Sequence, residues 1–160
     1  MQGRKIEFKT LNQAQVDMIC ERHERLWSGK AGGARASFAY CVVENLDLSN
    51  RDLSDADFSG AVLRGANLSG ATLNSAIFFA ADMRRASLEG ACLRRADLRG
   101  AIMRGANLTG ADLTEADLRE GAIAQIDKEK GLAVLTHKTQ GNDSDKANFT
   151  GANLSRSKMA

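Results

Sequence analysis

An apolar residue recurs at every fifth position along this chain without a miss: Phe38, Val43, Leu48, Leu53, Phe58, Leu63, Leu68, Leu73, Phe78, Met83, Leu88, Leu93, Leu98, Met103, Leu108, Leu113, Leu118 and Ile123. Only 43% of the chain is apolar, so composition does not produce such a run, and the fold must be built from a five-residue unit. Five matches neither the helical period of 3.6 nor the strand period of 2, and the local geometry has to come from the pattern inside each five. Two residues before the centres stands a small residue, as at Ala36 and from Ala56 and Ala61 through to Ala116. Between small residue and centre the side chain is usually polar, as at Asp57, Asn67, Asp97, Asn107, Asp112 and Asp117. Small, polar, large is a short β alternation, with its outer members facing inward and its middle member facing water. The last two positions are turn chemistry: Ser, Thr or Arg, then often Gly, as at Gly60, Gly65 and Gly70. Each five is therefore one side and one corner, and repetition winds a solenoid with Leu stacked over Ala inside it.

Ala-Asn-Leu-Ser-Gly (66–70), Ala-Asn-Leu-Thr-Gly (106–110) and Ala-Asp-Leu-Thr-Glu (111–115) resemble the A-(D/N)-L-x-x signature of the bacterial pentapeptide-repeat family. The resemblance implies an all-β solenoid, a right-handed quadrilateral β-helix with four fives to the coil; spacing alone requires only a turn every five. With four sides, residues twenty apart stack one above another, about 4.8 Å apart as neighbouring strands do. Phe38, Phe58 and Phe78 then share one internal column, and Met83 and Met103 another.

The expected organisation is an N-terminal segment 1–35 with a capping α-helix over about 11–27, a repeat block 36–123, an inserted loop 124–146 and resumed repeats 147–160. Thr10 with Gln13 reads as a capping box, and Leu11, Val16, Ile19, Cys20, Leu26 and Trp27 form the apolar stripe of a helix suited to covering the first coil. His23 to Gly33 resembles the helix and Gly-Gly entry of family members, which makes His23 a packing or solvent-edge residue. Arg51 stands where later repeats keep Ala. A buried Arg needs a partner, so it either threads toward the cap or sits in a relaxed register, with Asp47 and Asp52 nearest in sequence. After Ile123 the period lapses and returns one position out of register at Ala147-Asn148-Phe149 and Ala152-Asn153-Leu154. The insertion contains a strand-like run at Leu132 to Leu135 and a polar stretch. Its Asn142, Asp143 and Asp145 lack the spacing of a calcium loop, and His137 has no neighbouring ligand set. In gyrase-protecting family members, loops of this sort contribute to the topoisomerase contact. Ending in mid-repeat at Ala160, the chain is expected either to be a fragment or to form a homodimer through its C-terminal coil.

Lys and Arg number 22 against 20 Asp and Glu, a net charge of +2, which argues against direct nucleic-acid binding. No apolar run is long enough to span a membrane. The start lacks a signal-peptide pattern, and Cys20, Cys41 and Cys92 are an odd, scattered set, so a cytoplasmic protein with reduced thiols is expected. There is no nucleophile elbow, P-loop, dinucleotide glycine motif or metal-spaced His pair, and so no catalytic residue, metal or cofactor is assigned and the chain is read as a non-enzyme. The function expected is a scaffold or protein-interaction module with an unidentified protein partner. Its alternative, implied by the resemblance, is a DNA-mimicking modulator of DNA gyrase or topoisomerase. Mimicry needs an acidic surface, whereas the stretch 83–104 sets Arg84, Arg85, Arg94, Arg95, Arg99 and Arg104 against Glu89 and Asp97. The candidate interaction residues are the ladder Arg64, Arg84 and Arg104, with Arg94 and Arg99 close by in sequence and the outward-facing Ile77 and Phe79; Arg beside exposed apolar groups is the composition of an interface.

Overall fold

The structure, a computed structural model, describes residues 6–119, 123–127, 131–135 and 147–159. Each five forms one side of a square coil, and twenty residues complete a turn. Bridges between successive turns are all parallel, as in Ser37↔Asp57↔Ile77↔Asp97↔Asp117 on one wall. Continuing round, the second wall is Val42↔Val62↔Asp82↔Ile102, the third runs from Asp47 to Asn148 and the fourth from Asp52 to Asn153. The result is a right-handed quadrilateral β-helix.

The alternation read from the sequence sets what each wall buries. From Ala56 to Ala116 the small residues are at most 3% exposed, and the large centres from Phe38 to Leu98 at most 1%. Each buried Leu contributes about 2 kcal/mol over leaving it in water. The three phenylalanines stack face to face along one inner edge, with ring centroids 4.9 Å apart for Phe38 and Phe58 and 4.7 Å for Phe58 and Phe78. Backbone groups are satisfied between turns: Phe58 N–H donates to Ile77 C=O (2.7 Å) and Ile77 N–H to Ala56 C=O (2.9 Å).

Corners are β-turns closed by bonds such as Ala61 N–H to Phe58 C=O (3.0 Å). Their second corner residue takes a positive φ, which favours glycine there. Gly60 (φ +63°) is needed twice over, since a Cβ at that position would collide with the Tyr40 ring lying on it. The polar wall residue fastens the corner that follows it: Asp57 Oδ1 accepts from both the N–H (2.9 Å) and the hydroxyl (2.6 Å) of Ser59. Asn67 with Ser69 and Asp112 with Thr114 repeat the device.

The N-terminal cap is a short strand β1 (Lys9–Thr10) followed by helix α1 (Gln13–Trp27). Thr10 does not cap the helix. Strand β1 pairs in parallel with β2 (Cys41–Val42), which holds Thr10 against Val42, and the capping box is formed by Asn12 and Gln15. Val16, Cys20 and His23 make the buried stripe. Gln13 ties the first turn to the coil by donating to Asp47 C=O (2.7 Å) and accepting from Asp47 N–H (2.8 Å).

His23 is fully buried. Its Nδ1 accepts from Ala36 N–H (2.9 Å), which assigns the proton to Nε2, 2.7 Å from Ser54 C=O. Arg51 threads toward the cap. Its partners are Glu24 (3.2 Å) and Asp17 (3.4 Å) on the helix, not Asp47 or Asp52. Burial works against the Arg51 charge, but the bond to Glu24 and the charges of Glu24 and Asp17 together outweigh it, so its pKa is raised; the neighbouring Cys20 thiol is pushed by burial up to about 11.

At the far end the ladder from Asn107 skips to Asn148, and Asp112 and Asp117 pair with Asn153 and Lys158. The skipped stretch contains an antiparallel hairpin of β3 (Ile123–Asp127) and β4 (Gly131–Leu135). Ile123, the last centre by sequence count, therefore pairs with Leu135 instead of continuing the coil. His137, Asn142, Asp143, Asp145 and Ala160 lie outside the described residues.

Candidate interaction surface

The candidate residues fall on three successive corners. Arg64, Arg84 and Arg104 occupy one column, at the corner between the second and third walls. Phe79 and Arg99 are consecutive rungs of the corner between the first and second walls, and Ile77 lies on the first wall itself. Arg94 lies between the fourth wall and the first. Five residues along this chain are a quarter-turn in space, so Arg94 and Arg99, neighbours in sequence, do not join the ladder.

The ladder corner is a shallow groove of about 460 Å³. One of its edges is the column Glu44, Arg64, Arg84 and Arg104, and the other is Asn45, Gly65, Arg85 and Gly105. Asp82, on the second wall, clamps the lower part. Its carboxylate accepts from Arg64 Nε (2.8 Å) and from Arg84 Nε (2.9 Å) and Nη2 (2.7 Å). Burial alone would raise the Asp82 carboxyl, but these bonds outweigh it and hold the group below its ordinary value.

The corner on the other side of the second wall is part apolar. Phe79 is 42% exposed, and the Arg99 guanidinium lies 5.4 Å from its ring centroid, a cation–π contact. Arg99 also bonds Asp97 (2.9 Å), and Arg119 one turn on bonds Asp117 (2.7 Å). Between the two corners Val42, Val62 and Ile102 are half-buried. Tyr40, 44% exposed, packs edge-on against Phe8 at the N-terminal end of the same corner. Sequence reasoning passed over Tyr40 and Asp82. The twenty-residue column that puts Tyr40 beneath Gly60, and the position of Asp82 two before Arg84, were the signals that would have found them. Among the described residues no group of His, Cys, Asp or Glu side chains has a metal-binding arrangement.

Comparison with known proteins bears on the whole coil. A search of curated proteins found no match. Among solved structures, a pentapeptide repeat protein from Nostoc Pcc 7120 is 33% identical, with 68% of this chain and 80% of that one covered and a TM-score of 0.55. One from the Arabidopsis thaliana thylakoid lumen is 30% identical over 72% of this chain, which spans 62% of that protein's length, with a TM-score of 0.48. QnrB1, described as a plasmid-mediated fluoroquinolone resistance protein, is 17% identical, with 80% of this chain and 66% of that one covered and a TM-score of 0.28. The model of the family described as pentapeptide repeats matches residues 34–78 and 81–119 in eight copies. Those bounds take in the square coil from its first wall to the departure of the insertion, and the chain belongs to the pentapeptide-repeat family.

Proposed function

We infer that the chain is a non-enzymatic interaction module, which engages a protein partner through its second wall and the two corners bounding it. One observation carries this reading: the half-buried Val42, Val62 and Ile102 are bordered on one side by the exposed Phe79 with Arg99 and on the other by Arg64, Arg84 and Arg104. Apolar surface flanked by arginine and aromatic side chains is the mixture found at interface centres. A wall whose backbone is bonded on both sides presents it with little conformational entropy to lose on binding. The free thiols of Cys20, Cys41 and Cys92 fit a reducing compartment such as the cytoplasm. The gyrase-directed alternative asks for a continuous acidic stripe. Asp82, Asp97 and Asp117 each face an arginine, which interrupts any such stripe on the first two walls.

Affinity capture from bacterial lysate tests the reading, with the wild type compared against a Phe79→Ser, Arg104→Glu double variant. Both side chains are exposed, so the variant should fold normally. The expected result is a partner recovered by the wild type and lost by the variant. Gyrase or topoisomerase recovered equally by both would favour the alternative on another wall, and any partner recovered equally would remove the second wall from the contact.

A further inference from the structure

The ion pairs of the first two walls are all built the same way up. On the second wall Asp82 holds Arg64 (2.8 Å) and Arg84 (2.7 Å) together, and its side chain is 13% exposed against 51% and 36% for theirs. On the first wall the Asp117 side chain is 19% exposed against 44% for Arg119, and Asp97 with Arg99 follows the same order. In each pair the carboxylate lies low, where it also accepts the first N–H of its own corner, and the guanidinium stands over it. A partner approaching these walls therefore meets the positive member of each pair first, although acid and base nearly balance. Between Arg64 and Arg84 on one border and Phe79 with Arg99 on the other runs the column of half-buried Val42, Val62 and Ile102, interrupted by Asp82. The backbone of that column is fully engaged. Val62 N–H donates to Cys41 C=O (2.9 Å) and Val62 C=O accepts from Val43 N–H (2.8 Å), while Asp82 N–H donates to Ala61 C=O (2.8 Å) and its C=O accepts from Leu63 N–H (2.7 Å).

We propose that the second wall receives an acidic amphipathic helix of a partner protein, laid lengthwise with its apolar stripe on Val42, Val62 and Ile102 and its carboxylates on the bordering arginines. The proposal rests on the reading of this wall as an interaction surface and gives the partner its class. The backbone decides for a helix. An extended segment laid here would bury N–H and C=O groups against a wall that has no bond left to offer them, whereas a helix satisfies its own. The dimensions agree, since a side of three extended residues is about 10 Å across and a helix with its side chains is about 10–12 Å thick. Three rungs from Val42 to Ile102 span about 14 Å, which is roughly ten residues of helix. Charge decides for acidic flanks. Exposed ion pairs contribute little by themselves, so Arg64, Arg84 and Arg99 can take a partner's carboxylate in forked bonds without giving up the wall aspartates beneath them. Phe79, at the border, supplies the aromatic anchor.

The test titrates the full chain, at low ionic strength where exposed charges are least screened, into a fluorescent peptide of about fourteen residues with Leu at helical spacing and Glu on both flanks, and reads its anisotropy. Binding should saturate. Lys in place of Glu should abolish it, and a central Pro, which breaks the helix, should weaken it at least tenfold. A Phe79→Ser, Arg84→Gln double variant should weaken the Glu peptide at least tenfold, while Arg94→Gln, on the corner between the fourth wall and the first, should leave it unchanged. Glu and Lys peptides bound alike, the Pro peptide bound as well as its parent, equal losses in the double variant and in Arg94→Gln, or no saturable binding overturns the proposal. So does sedimentation as a dimer that Phe79→Ser dissolves, which would make a second copy of the chain the occupant. If the peptide fails while the Phe79→Ser, Arg104→Glu variant still loses its partner from lysate, the interaction reading stands and only the acidic helix falls.

Discussion

A wall residue in this coil has two tasks, and the carboxylates show how one side chain does both. Asp117 faces water yet accepts from Arg119 N–H (3.2 Å), Nε (2.9 Å) and Nη2 (2.7 Å), so it fastens its own corner while neutralising the arginine there. The bonds from Arg119 hold its carboxyl down at about 2. Asp82 and Asp112 are lowered as well, the latter chiefly by the Thr114 hydroxyl. The folded value of Asp117 lies below its ordinary 3.8. Its stabilisation is therefore complete above about pH 4 and is lost as the pH falls through about 2. Asn occupies the same wall position at Asn67 and Asn107 and keeps the corner bond, which makes Asp117→Asn a clean probe. Urea midpoints between pH 2 and 4 should fall less steeply in Asp117→Asn than in the wild type. Parallel slopes would show that the pair with Arg119 contributes nothing to the acid limb.

At the level of the element, a side of the coil is too short to be stable alone, and its energy comes from the column it joins. Phe58 lies between Phe38 and Phe78 and is fully buried, so Phe58→Ala leaves a cavity bounded above and below by rings that cannot close over it. The expected loss is about 3–5 kcal/mol, read as a drop in the urea midpoint with the slope unchanged. A loss under about 1 kcal/mol would mean that the column collapses into the space. That stack was legible once the family resemblance supplied four sides, because a five-residue period then fixes which residues meet twenty apart. So was the fastening of corners by polar wall residues, which needs only a two-residue reach. The helix start was not, because Thr10 had the right chemistry for a cap, and it was the pairing of β1 with Val42, far along the chain, that moved the boundary to Asn12. Arg51 was legible as an anomaly but not in its partners. Asp17 and Glu24 come near it only when the helix lies across the first coil. The column of Arg64, Arg84 and Arg104 was legible in the same way, whereas Arg94, named with it for nearness in sequence, stands on another corner because five residues are a quarter-turn in space.

Taken as a whole molecule, the coil is a stack in which each turn touches only its neighbours, and cooperativity between the ends is not guaranteed. The joint between cap and coil is narrow. It is made by β1 against β2, by Gln13 on Asp47, by Arg51 on Glu24 and Asp17, and by His23, which answers both Ala36 N–H and Ser54 C=O from one ring. Trp27 is the sole tryptophan and sits on that joint, its indole nitrogen 3.1 Å from His23 Nε2, so its fluorescence reports the cap while infrared absorption in the β-sheet amide band reports the coil. Replacing His23 by Ala strands the buried Ala36 N–H and the part-buried Ser54 C=O at a cost of about 2 kcal/mol, and that loss belongs to the joint alone. The Trp27 transition in His23→Ala should therefore move to lower temperature on heating while the infrared β-sheet transition moves less, so that the two curves separate. If they shift together, the helix is no detachable lid: the first coil then depends on it, and the apolar cross-section around Phe38 and Leu53 transmits its loss along the stack.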